Sequence, residues 1–198
     1  MESKTKTKIS ESKIRELVEQ NFGQDVLITK IKALDGGMMN SAYLISYGRP
    51  IDELNEMILK ISFSSDVETL TYETKIMRAE VVFYKHMEGK DTPIPRLLKY
   101  DFSHKYIDCD YFFMSKINGV LWKDVQDELL PENIGQLKKE LGAYNAVIHS
   151  VKGDYFGYIK EDEKWHYDTW AKAFKAMTTE GWRLIAMSKN MHSRFLAM

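Results

Sequence analysis

Apolar residues recur at helical spacing from Ser10 to Asn21, with Ile14, Leu17 and Val18 on one side and Ser10 or Ser12 placed to cap the start. Phe22-Gly23 closes that helix. Val26, Ile28 and Ile31 then mark a strand over Val26–Leu34, leading into Gly36-Gly37. Ser41–Tyr47 and Met57–Ser62 pattern as a hairpin around a polar loop at Gly48-Arg49-Pro50. Ser64, Ser65 and Asp66 offer caps for a long helix over Val67–Met87, with Leu70, Ile76, Met77, Val81, Tyr84 and Met87 as its apolar positions. Thr92-Pro93-Ile94-Pro95 excludes helix, because a residue before proline is pushed extended. Strands follow over Arg96–Asp101 and Asp110–Lys116, with a turn at Ser103–Lys105. Tyr111-Phe112-Phe113-Met114 is the most apolar of these runs and belongs in the middle of a sheet.

Ile117-Asn118-Gly119 breaks that strand, and the pattern turns helical. Val120–Val125 is a short element, Pro131 suits a helix start, and Ile134–Ser150 carries Leu137, Leu141, Tyr144, Val147 and Ile148. Gly153 ends it, Phe156–Ile159 is a short extended piece, and Thr169–Met187 reads as a last helix with Trp170, Phe174, Met177 and Leu184. The expected class is α+β: a five-stranded antiparallel sheet with one inserted long helix, followed by a helical part.

Composition narrows the function classes. The 198 residues suffice to bury a core. A net charge of -1 argues against a field for nucleic acid or a membrane across the molecule, and Lys4, Lys6 and Lys8 are balanced by Glu2 and Glu11. A single cysteine, Cys109, excludes an intrachain disulfide framework and a cysteine-rich zinc site, and fits a reducing, cytoplasmic setting. Its neighbours Asp108 and Asp110 discourage a thiolate, which makes it structural. No apolar run approaches the roughly 20 residues of a membrane span, and no signal-peptide pattern opens the chain.

The candidate chemistry sits between Leu34 and Lys60. Gly36-Gly37 can take positive φ and lets backbone amides approach an anion. Lys60 interrupts Ile58, Leu59 and Ile61, and in an alternating strand shares a face with Ile58. A cation on an apolar strand wants an anion. The plain alternative is an edge-strand charge that discourages pairing, beside an ordinary glycine turn. Glu80 lies on or beside the apolar face of the long helix, with Glu73 a heptad earlier, and is a partner for Lys60. The alternative is that Glu80 pairs with Arg78 or Lys85, or faces water.

In this order these segments resemble the N-terminal lobe, and the start of the C-terminal lobe, of the aminoglycoside phosphotransferase and choline-kinase-like family, relatives of protein kinases. The resemblance runs from about residue 10 onward, and rests on motifs that are weak singly and stronger in sequence. It implies a nucleotide-binding lobe over 1–117 and an incomplete helical lobe over 118–198. Gly36, Gly37, Met38, Met39 and Asn40 resemble the loop over the phosphates, Lys60 the lysine that binds the α- and β-phosphates of ATP, and Glu80 the glutamate that orients it. Ile94-Pro95-Arg96-Leu97-Leu98 resembles the family's proline-containing lead-in to the next strand. Tyr111 to Gly119 resembles the hinge strand: Met114 would wall the adenine pocket, and the backbones of Ser115 and Ile117 would meet the adenine edge. Leu141 to Ser150, with Phe156-Gly157 after it, resembles the opening of the second lobe.

One departure matters most. The family's catalytic loop reads HxDxxxxN, its Asp taking the substrate hydroxyl proton and its Asn binding Mg²⁺, with a further metal Asp downstream. His166-Tyr167-Asp168 spells HxD, but Ala173 stands where Asn is needed and no aspartate follows Asp168, so the match is chance. Asp154-Tyr155-Phe156-Gly157 likewise only mimics the metal motif, and His149 is a helix-end histidine. The resemblance therefore implies a chain cut short before the catalytic loop, with the Mg²⁺ ligands in a missing C-terminal part and no turnover by these 198 residues alone. It further implies a small hydroxyl-bearing acceptor in a full-length form, and apolar helix faces on Ile134–Ser150 and Thr169–Met187 that would be exposed or paired in a dimer. The alternative is a non-catalytic nucleotide-binding or interaction module built on the same lobe.

Overall fold

The computed structural model describes residues 7–34, 40–51, 54–64, 75–159 and 165–179. In chain order its elements are α1 (Glu11–Phe22), β1 (Ile28–Leu34), β2 (Ser41–Ile51), β3 (Leu54–Ile61), α2 (Ile76–Met87), β4 (Leu97–Asp101), β5 (Tyr111–Ser115), α3 (Trp122–Val125), a 3-10 turn (Gln126–Glu128), α4 (Pro131–His149), β6 (Phe156–Gly157) and β7 (His166–Tyr167). A further helix, α5, runs over 170–179. The chain divides into two compact units, one of Met1–Val67 and Phe83–Lys152, the other of Glu68–Val82 and Gly153–Met198.

In the first unit five antiparallel strands lie in the order β1-β2-β3-β5-β4. The sheet is α+β in the expected sense, with a helix inserted between β3 and β4. Ser10 caps α1, its hydroxyl accepting the Lys13 N–H at 3.2 Å. Gly23 ends the helix at φ 97°, a value that favours glycine, and donates to the Glu19 carbonyl at 2.8 Å. The face of Ile14, Leu17 and Val18 is buried on Tyr43, Ile45, Met57, Leu59, Ile61, Tyr111 and Phe113. Each fully buried apolar side chain contributes about 1.5–3 kcal/mol, which is why α1 docks although a helix of its length is marginal alone.

The hairpin differs from expectation. β2 runs through Gly48-Arg49-Pro50 to Ile51, and β3 begins at Leu54, not Met57. A register shift between Ser46 and Ile51 bulges the ladder, and Ile51 pairs with Leu54 beyond it. Turn-forming residues therefore sit in an irregular strand end, where a proline is tolerated. β1 begins two residues later than Val26, at Ile28. The expected helix start at Val67 lies outside the described residues, as do Leu70 and Glu73.

β4 and β5 are joined by an irregular segment braced by His104, which takes φ 60°. Its Nδ1 lies 3.2 Å from Asp108 Oδ1 and its Nε2 2.9 Å from Asp110 Oδ1. Cys109 is buried in this segment, not in a strand, and desolvation pushes its thiol pKa up.

α4 starts at Pro131 as expected and has no buried residue; Leu137 and Leu141 on it are exposed. In the second unit β6 pairs with β7, a strand the periodicity did not indicate. Gly157 has φ 136°, and a Cβ there would clash with the Trp165 carbonyl oxygen. Tyr155 stacks on His166 with ring centroids 3.5 Å apart, and Asp168 pairs with Lys172 at 2.8 Å. His166 thus lies in the β6–β7 hairpin and Asp168 just before α5. Among the described residues no helix is long and apolar enough to cross a membrane.

Candidate functional site

Ladder partners in an antiparallel sheet share a face, so the register assembles the site. Lys60 on β3 stands opposite Ala42 on β2 and Phe112 on β5, while Ile58 stands opposite Leu44 and Met114. These six residues form one face, turned away from the α1 core. Their neighbours Tyr43, Ile45, Leu59, Ile61, Tyr111 and Phe113 point the other way, into that core.

β3 has a hydrogen-bonded neighbour on each side and is the middle strand of five. That removes the edge-strand explanation of Lys60, because there is no free edge for its charge to protect. The ammonium lies 5.7 Å from the centroid of the Phe112 ring, within reach of a cation–π attraction, and Phe112 is fully buried. Lys60 itself is half-buried. The site is therefore a cation held on an apolar, interior stretch of sheet, where Coulomb attraction to an anion is less screened than in open water.

Met114 lines the same face. It receives Tyr84 from α2, the hydroxyl 3.7 Å from its sulfur, and Tyr84 also meets Phe112 edge-on at 5.9 Å. Sequence reasoning missed both aromatic neighbours; Phe112 was visible as an apolar strand residue, but its place opposite Lys60 depends on register, which periodicity leaves open. Ser115 ends β5. Its N–H donates to the Arg96 carbonyl at 2.8 Å and its hydroxyl accepts the Arg96 N–H at 2.8 Å. Ile117 follows outside the strand and is half-exposed. Next to it Lys116 binds Glu56 at 2.6 Å, and that hydrogen bond holds the Glu56 carboxyl below its usual range.

Gly36, Gly37 and Met38 lie outside the described residues. Asn40, at the mouth of β2, keeps a buried side-chain oxygen with no hydrogen-bond partner. Turning that amide by 180° would place an NH₂ donor where the oxygen now lies. Glu80 is half-buried on α2, in the second unit, whereas Lys60 belongs to the first. Lys85, one of the alternative partners for Glu80, donates to the Tyr100 hydroxyl at 2.7 Å and lies over that ring.

Comparison of the sequence with protein-family models and with curated proteins finds no match.

Proposed function

We propose that this chain binds the phosphates of ATP through Lys60, as the nucleotide-binding portion of a small-molecule phosphotransferase that moves the γ-phosphate to a substrate hydroxyl. The observation that carries it is Lys60 in the middle strand of the sheet, on a face shared with Phe112 and Met114. A cation placed there is costly to desolvate and is matched to a ligand that brings both negative charge and an apolar ring. Lys60 neutralises the phosphates, Asn40 with Gly36 to Met39 covers them, and Met114, Ser115 and Ile117 flank the base. Mg²⁺, when bound with the nucleotide, supplies further charge neutralisation.

The alternative, of a different class, is a module that binds nucleotide without transferring phosphate. ATP is expected to raise the melting temperature saturably, and Lys60→Ala to remove that rise by weakening binding about tenfold or more. An unchanged rise in the Lys60→Ala variant overturns the assignment of Lys60, and no rise in the unsubstituted chain overturns nucleotide binding. Transfer of labelled phosphate to an alcohol would decide against the module.

A further inference from the structure

Of the seven asparagines in the chain, Asn118 is the one followed by glycine. It lies in the segment between β5 and α3, where residues 116–121 form neither helix nor strand, and both Asn118 and Gly119 are exposed. Among the described residues nothing hydrogen-bonds the Asn118 side chain or the Gly119 N–H. Gly119 does not take positive φ, and a Cβ built on it would meet open space. The side-chain amide carbon of an asparagine and the next backbone nitrogen can close a five-membered ring. Closure needs that nitrogen to be free, the backbone to be able to turn, and little bulk on the attacking residue, which is where glycine differs from every other type.

The other asparagines within the described residues are placed differently. Asn21, Asn133 and Asn145 are helical, and the Ile134 N–H that follows Asn133 donates to the Leu130 carbonyl at 3.1 Å. The Asn21 amide also donates to the Leu17 carbonyl at 2.8 Å and the Tyr111 hydroxyl at 3.0 Å. Asn55 lies within β3. Asn40 precedes Ser41, the first residue of β2, and its side-chain oxygen is buried. Helix and ladder hold the following nitrogen away from the side chain, and each next residue carries a Cβ.

We propose that Asn118 is a modification site, where the folded protein converts asparagine to aspartate and isoaspartate without an enzyme. The Gly119 nitrogen gives up its proton and bonds to Cγ of Asn118. The Cγ–Nδ2 bond breaks, and ammonia carries off the proton, leaving a succinimide. Water then opens the ring. Attack at Cγ restores the ordinary backbone and leaves aspartate; attack at the main-chain carbonyl carbon leaves isoaspartate, with one extra methylene in the backbone. Either product adds a carboxylate two residues from Lys116, whose ammonium binds Glu56 at 2.6 Å. Isoaspartate also lengthens the connection from β5 to α3. The proposal is independent of what binds at Lys60.

The test is incubation of the whole chain in mildly alkaline buffer made with oxygen-18 water, followed by peptide mapping with fragmentation that separates aspartate from isoaspartate. A free peptide of the sequence Lys-Ile-Asn-Gly-Val, incubated alongside, sets the rate of an unrestrained site. Residue 118 is expected to convert within about tenfold of the peptide rate, to take up heavy oxygen, and to do so ahead of Asn21, Asn40, Asn55, Asn133 and Asn145. Gly119→Ala is expected to slow conversion about tenfold or more, with an unchanged circular dichroism spectrum as the folding control. An intact Asn118 after the free peptide has converted overturns the proposal. Conversion of another of these asparagines first, or an equal rate in Gly119→Ala, overturns it as well.

Discussion

Single residues in this sheet act through what stands opposite them. Tyr111 shows how closely such a residue is held: its hydroxyl accepts from Asn21 at 3.0 Å and donates to Asp101 at 3.3 Å. Burial, more than any other influence, pushes its phenol pKa up to about 12. The folded state therefore favours the neutral phenol. That contribution is complete below the ordinary tyrosine value of about 10 and is lost as pH rises from there through 12. An ultraviolet titration of the unsubstituted protein minus Tyr111→Phe is expected to show a phenol with its midpoint near 12. A midpoint at the ordinary value would contradict the packing around β5. Lys60, by contrast, was legible as an anomaly in the sequence, yet only the ladder decides between an edge charge and an interior one. Nothing in the spacing of Ile58, Leu59 and Ile61 says how many neighbours their strand has.

Long, strongly periodic elements were readable because burial imposes a period. α1 and its Ser10 cap, the apolar strand β5 and the Pro131 start of α4 all follow from that rule. The elements that escaped are those too short or too irregular to carry one. β6 and β7 have two residues each, and the bulged end of β2 hides behind turn-forming residues. The β6–β7 pair depends on Gly157, where close approach of the Trp165 carbonyl leaves no room for a methyl group. Gly157→Ala is expected to destabilise this hairpin by about 2 kcal/mol or more, from a strained φ and a steric clash together. Near-ultraviolet circular dichroism of the Tyr155, Tyr158 and Trp165 signals would report it; an unchanged spectrum and melting temperature would show that the pairing is not required. Of the candidate site, Lys60 and Met114 could be read from sequence and are brought onto one face. Their aromatic company, Phe112 and Tyr84, could not, because it depends on register and on a helix meeting a strand 30 residues away.

At the scale of the molecule, the ionic groups of the first unit set its response to acid. Lys116 holds Glu56 below its usual carboxylate range. Burial raises Asp101, but hydrogen bonds from Ser103 and Tyr111 outweigh it, and its pKa is lowered as well. Both contributions are present above the ordinary carboxylate values, 4.5 for Glu and 3.8 for Asp, and are lost as pH falls through the lower folded values. The urea midpoint is therefore expected to fall between pH 6 and pH 3, and to fall less in Asp101→Asn; an equal fall in that variant would remove Asp101 from the account.

The strict alternation of β2, β3 and β5 has a consequence for how this protein tolerates change. Saturation mutagenesis scored by abundance should mark Tyr43, Ile45, Leu59, Ile61 and Phe113, while the same library scored by ligand retention should mark Ala42, Lys60 and Met114 between them. Two interleaved barcodes, one for folding and one for recognition, would let selection retune what the sheet holds without rewriting how it is built.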